Sequence, residues 1–123
     1  MFRKTAIAFI SLLVSTGAMA DCTKPTPPAV MDGAKSEISA FLGRHKEMSA
    51  YQASVATYQE CLAGMEQKEM EAGTLTEERA QSLVDQSNAA VGEAEVVAAE
   101  HNEQVRLMLA RDDYKEYAAS QKK

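Results

Sequence analysis

Residues 69–79 read Glu-Met-Glu-Ala-Gly-Thr-Leu-Thr-Glu-Glu-Arg, and two helix boundaries abut inside them. Gly73 can take the left-handed conformation that closes a helix, so one helix ends near Ala72-Gly73. Thr74-Leu75-Thr76-Glu77 has the T-x-x-E form of a capping box, and Glu77 and Glu78 suit the positive end of a helix dipole. A tight turn over about residues 72–76, centred on Thr74, therefore joins two helices that fold back on each other.

The flanks carry the pattern such a hairpin needs. Upstream, Phe41, Met48, Tyr51, Val55, Tyr58, Leu62 and Met65 follow at steps of seven, three, four, three, four and three, which lays them along one helical face. No proline occurs from Ser36 onward, and the good helix formers Ala, Glu, Gln, Lys, Leu and Met dominate. The spacing predicts a helix over about 36–71 with Ser36 as its N-cap. Gly43 and Gly64 each weaken it by about 1 kcal/mol relative to Ala and allow slight bends.

Downstream, Ala80, Leu83, Ser87, Ala90, Ala94, Val97, His101, Val105 and Met108 recur at steps of three or four, with Val84, Val91, Ala98 and Leu109 widening the stripe. A second helix is predicted over about 77–119. The alanines in its middle let two helix axes approach closely, so this face packs on the first helix. Gly92 is a soft point, and Arg111-Asp112-Asp113 marks where the helix leaves its partner. Lys122 and Lys123 fall at the negative end of the dipole.

Residues 21–35, the stretch before the hairpin, are of a different kind. Pro25, Pro27 and Pro28 stand close together, and the turn-prone Asp32-Gly33 lies near the end. Proline fixes φ and disfavours helix at the residue before it, so an extended arm is expected. Earlier still, Phe2-Arg3-Lys4, an uncharged apolar run from Ala6 to Val14, and the small-residue box Ala18-Met19-Ala20 have the order of a cleavable signal peptide over residues 1–20, with Asp21 first in the mature chain. The alternative, a membrane anchor, needs about 20 apolar residues. Asp21 before Cys22 argues against lipidation of that cysteine.

Export to an oxidising compartment and two cysteines in the chain argue for one disulfide, Cys22–Cys61, the alternatives being a bridge between chains or two free thiols. Distance allows the link. Ser36 to Cys61 spans roughly 38 Å of helix, and the arm stretches to about 43 Å at polyproline rise. The arm must then double back, nearly straight, along the first helix. The fold predicted is all-α, a long antiparallel helical hairpin of the coiled-coil kind with a Pro-rich arm strapped to helix one. Two helices cannot enclose a core, so part of the apolar stripe stays exposed, and self-association into a four-helix bundle is expected.

Charge narrows the partners. The formal charge of −5 becomes two units more negative when Arg3 and Lys4 leave with the signal peptide. Such a balance repels phosphate backbones and anionic lipid surfaces, so nucleic acid and membrane are poor partners and a protein partner or a homo-oligomer is the better one.

Four sets of residues invite a functional reading. Pairing the helices about Thr74 sets His45 against the neighbourhood of Glu103 and His101 against Glu47, at nearly one level, with Met48 one turn from His45. His, His and Met suit copper in an oxidising compartment, but two partly buried histidines beside a core methionine are the commoner case. Glu93, Glu95, Glu100 and Glu103 make an acidic run, more often a solvated face than a docking face, with Arg44 and Lys46 placed to balance it across the hairpin. Among the methionines, Met48, Met65 and Met108 lie on the stripes, and Met70 near the turn is the one expected to be exposed. No catalytic, cofactor or metal motif is present: no G-x-S-x-G, no phosphate-binding glycine loop, no zinc-ligand spacing and no free Cys/His pair. The reading is a non-enzymatic protein without cofactor.

The stretch Cys22-Thr23-Lys24-Pro25, then Pro28, then Asp32-Gly33, followed by Tyr58-Gln59-Glu60-Cys61-Leu62, resembles a group of short exported helical proteins of Gram-negative proteobacteria. These have a signal peptide, a C-x-x-P arm and a Y-x-x-C-L helix. The likeness covers roughly the first half of the mature chain, and Met31 stands where the group has a proline before Asp-Gly. It implies a periplasmic location and the same strap-and-helix design, and no activity.

Overall fold

The computed structural model describes residues 22–122; the expected signal peptide over 1–20, Asp21 and Lys123, named with Lys122 at the helix terminus, lie outside them. The described residues form an all-helical protein in the order α1 (Ile38–Ala72), α2 (Glu77–Leu109) and α3 (Asp112–Ser120), with no strand. The predicted hairpin is α1 packed on α2. No helix among the described residues is long and apolar enough to cross a membrane.

The turn forms where the sequence placed it, with a different cap. Gly73 closes α1 in the left-handed region, φ 71°, and its N–H is bonded to the carbonyl of Met70. The N-cap of α2 is Thr76, whose hydroxyl accepts from the Arg79 N–H at 3.1 Å. Thr74 instead donates its N–H and its hydroxyl to the carbonyl of Glu69, finishing α1. The first threonine is taken by the end of one helix, so the second starts the next.

His45 meets His101, and Gln59 meets Ser87, so residue i faces about 146 − i. The pairing runs about Gly73, two residues from the register drawn about Thr74.

Phe41, Met48, Tyr51, Val55, Tyr58 and Leu62 of α1 are buried as the spacing predicts, against Leu83, Ala90, His101 and Met108 of α2. The central cluster joins Tyr51, Val55, Tyr58, Leu62, Leu83 and Ala90, with Cys22 packed on it. Phe41, Met48, His101 and Met108 fill the end nearer the start of α1.

The arm is the third layer. Cys22 and Cys61 are bonded, with Cα atoms 5.8 Å apart. From there the chain crosses the seam on one side of the hairpin. Lys24 pairs with Glu93 at 2.5 Å, and the carbonyl of Ala29 accepts from Arg44. The Gly33 N–H donates to Gln104 Oε1 at 2.9 Å. Asp32 Oδ1 accepts from the Ala34 N–H at 2.8 Å and the Asp32 carbonyl from the Ser36 N–H at 2.9 Å, so Asp32-Gly33 makes the turn expected of it.

Two helix ends depart from the sequence reading for one reason. The N-cap of α1 is Glu37, without a side-chain bond, and not Ser36. The predicted second helix, 77–119, is two helices, because Arg111 leaves the helical region at ψ 138°. Its guanidinium donates to the carbonyls of Gly33 at 3.1 Å and Ser36 at 2.5 Å, and holds Asp113 at 2.6 Å. One side chain thus ties the arm turn, the start of α1 and the start of α3. Asp112 and Asp113 then sit in the first turn of α3, where the dipole favours them.

Gly33 is where the arm comes closest to α2: a Cβ there would lie 1.8 Å from the Gln104 carbonyl oxygen. Gly33→Ala therefore forces backbone from backbone. We expect a loss of about 1–3 kcal/mol, the range for overpacking, together with faster proteolysis of the arm. Unchanged thermal stability and unchanged protease resistance would contradict this packing.

Candidate functional site

At the level of His45 the hairpin holds three rings in contact. Phe41 stacks on His101 with centroids 5.5 Å apart and planes 15° apart, and His45 meets the edge of His101, centroids 5.1 Å apart and planes 25° apart. His45 Nδ1 and His101 Nε2 are 2.8 Å apart, a hydrogen bond across the helix pair. His101 is 3% exposed, and its Nδ1 is buried without a partner among the described residues.

This decides the proton's place. If His45 donated, His101 would carry its own proton on Nδ1, a buried N–H with no acceptor, the rarer and costlier defect. With His101 Nε2–H donating to His45 Nδ1, only a lone pair is left unmet. His45, exposed, then turns Nε2–H to water. Burial first, and then the neighbouring His45 and Arg44, hold His101 below the usual histidine range.

A histidine held low makes stability fall on acidification. The unfolded chain takes up the proton from about pH 6.5 downward, while the folded chain refuses it until its lower value is passed. Stability from this group is complete above that window and is lost as pH falls through it, at no more than about 1.4 kcal/mol per pH unit. Melting curves between neutral and mildly acid pH should show the decline, and His101→Phe, which keeps a ring on Phe41, should make it shallower. Equal slopes in the two chains would remove this assignment.

Of the metal candidates, the structure brings His45 and His101 together, and Met48 is buried beside the seam at 3% exposure. No group of three or more His, Cys, Asp or Glu side chains able to hold a metal occurs among the described residues. The acidic run divides: Glu93 pairs with Lys24, and Glu103 with Arg106 at 2.5 Å. Arg44 pairs with Glu47 of its own helix at 2.9 Å and does not reach across. Met70 is 55% exposed, as expected.

The larger feature is the side of the hairpin that the arm leaves bare. Cys22 and Pro25 lie over Ser54, Thr57, Tyr58 and Cys61. Half a helical turn away, a shallow groove along the seam is lined by Gln52, Ala56 and Gln59 of α1 and Val91, Glu95 and Ala98 of α2. It continues past Ala63 and Glu66 to Val84 and Asn88. Val84 is 44% exposed and Leu109, on the same stripe, 50%. Comparison with protein-family models, with curated proteins and with solved structures found no match.

The sequence reading named this stripe without saying which part of it the arm would cover. The signal was there in Val84, Val91, Ala98 and Val105, spaced by sevens next to the inward-facing Ala94, His101 and Met108.

Proposed function

We propose that this is a periplasmic, non-enzymatic protein, exported by a cleaved signal peptide, that acts by binding protein through the arm-free face of its hairpin. The observation that carries the reading is one-sided cover. The arm seals one side of a two-helix seam, while the other presents half-exposed aliphatic side chains in a continuous groove. Exposed aliphatic side chains gathered along a polar-rimmed groove mark interaction sites more often than they are left to water. The disulfide supports an oxidising compartment, and the likeness to short exported proteins supports the periplasm in particular. A photo-cross-linking residue at Ala56 or Val91 should give a protein adduct in intact cells, and one at the outward-facing Ala53 should not. No adduct from either groove position would overturn the reading.

Copper binding through His45, His101 and Met48 is the second reading, favoured only by the meeting of the two imidazoles. Copper would need a free lone pair on each facing nitrogen, and one of the two carries the proton of their 2.8 Å hydrogen bond, so that bond would have to open. Copper affinity unchanged in the His45→Ala, His101→Ala double variant would dispose of it.

A further inference from the structure

The arm-free face is built to be read level by level. On α1 its positions are Leu42, His45, Ser49, Gln52, Ala56, Gln59 and Ala63; on α2 they are Val105, Asn102, Ala98, Glu95, Val91, Asn88 and Val84. Under the observed register each residue of the first set lies within one residue of the level of its counterpart in the second. Apolar levels alternate with polar ones.

We infer that the occupant of this face is a second copy of the chain, laid face to face about a two-fold axis parallel to the helices, so that α1 of each protomer covers α2 of the other. This rests on the arm-free face being the binding face. Such an axis keeps every level in register. Val84 then meets Ala63 of the other copy, Val91 meets Ala56, Ala98 meets Ser49 and Val105 meets Leu42. Between them Asn88 meets Gln59, Glu95 meets Gln52, and Asn102 meets His45, whose Nε2–H faces outward. Size is matched at the middle and the turn end, where Val91 and Val84 of α2 come down on Ala56 and Ala63 of α1, as interlocking helices require. No carboxylate is set against a carboxylate in these layers.

Area supports a second copy. From Val84 to Leu109 the face runs roughly 38 Å, and two helices side by side are about 20 Å wide. The footprint is on the order of 760 Å² for each partner, close to the ~800 Å² per side of stable protein interfaces. The seven-residue repeat of Val84, Val91, Ala98 and Val105 also suits the slight left-handed supercoil of four-helix bundles.

Sedimentation equilibrium of the oxidised chain, before and after Val91→Glu, tests the association. A dimer is expected, and the variant should weaken it by about a hundredfold or more, because a carboxylate would be buried without a partner. Helicity by circular dichroism, unchanged in Val91→Glu, shows that the variant folds. The arrangement is tested by mixing a chain carrying Ala63→Cys with one carrying Val84→Cys, each oxidised beforehand at Cys22–Cys61, and adding a short thiol-to-thiol linker. Linked pairs should form in the mixture and in neither chain alone. A strict monomer, or a dimer in which Val91→Cys links to itself, would overturn the inference. A monomer that still gives groove adducts with a different protein would leave the binding reading standing and remove only the second copy.

Discussion

Reducing the Cys22–Cys61 bond, or replacing both cysteines by serine, is expected to lower the stability of the chain by about 4 kcal/mol. The bridge closes a loop of 39 residues in sequence, and on the chain-entropy model a loop of that length restricts the unfolded ensemble by about this amount. For a domain of this size such a loss lowers the melting temperature by on the order of 20 °C. The effect is large because of what the bond holds. Beyond Cys22 the arm is kept down by an exposed ion pair, Lys24–Glu93, worth little by itself, by one bond to Arg44, and by the turn at Gly33. Without the covalent end, the first ten residues of the arm lose their anchor and the Tyr51–Tyr58 side of the core loses its cover. Thermal melts of oxidised chain, reduced chain and the Cys22→Ser, Cys61→Ser double variant, with limited proteolysis of each, measure this. A shift of less than about 1 kcal/mol would mean the arm is held chiefly by its other contacts.

The same split between local and distant causes explains what could be read in the sequence. The apolar stripes from Phe41 to Leu62 and from Leu83 to Met108 are local periodicities, and they were enough for the hairpin and its core. The cysteines and prolines were enough for the strap. Arg111-Asp112-Asp113 is marked in the sequence as the point where the second helix leaves its partner, but the break there is not legible, because Arg111 is drawn out of the helix by the carbonyls of Gly33 and Ser36, more than 70 residues away. Ser36 fails as a cap for the same reason, its backbone being engaged by that arginine and by Asp32. The register differs from the one drawn about Thr74 by two residues at His45–His101 and Gln59–Ser87, while Glu69–Arg79 beside the turn keeps the register drawn. The histidines were placed near one level and are in contact, whereas Arg44 and Lys46 were set against an acidic run that Lys24 and Arg106 in fact engage. The groove was the least visible feature, since a stripe cannot show which of its flanks an arm will cover.

Phe41→Ala should be the most damaging single substitution in the end of the core nearer the start of α1. Phe41 is one of the two largest fully buried side chains, 2% exposed. Truncation of a buried phenylalanine costs about 3–5 kcal/mol, part from lost transfer and part from the cavity left behind. Here the lost ring also stacks on His101, so its removal uncovers the buried imidazole of the seam. Two readouts should therefore move together. The melting temperature falls, and the acid-side decline ascribed to His101 becomes shallower, because an imidazole reached by water takes up its proton nearer the usual range. Phe41→Leu separates the two effects. It fills most of the volume and should recover more than half of the stability, yet without an aromatic face it should restore less of the pH dependence. If Phe41→Ala lowers the melting temperature and leaves the slope of stability against pH as it was, then the helix packing alone keeps water from His101, and the Phe41 ring has no part in holding that histidine neutral.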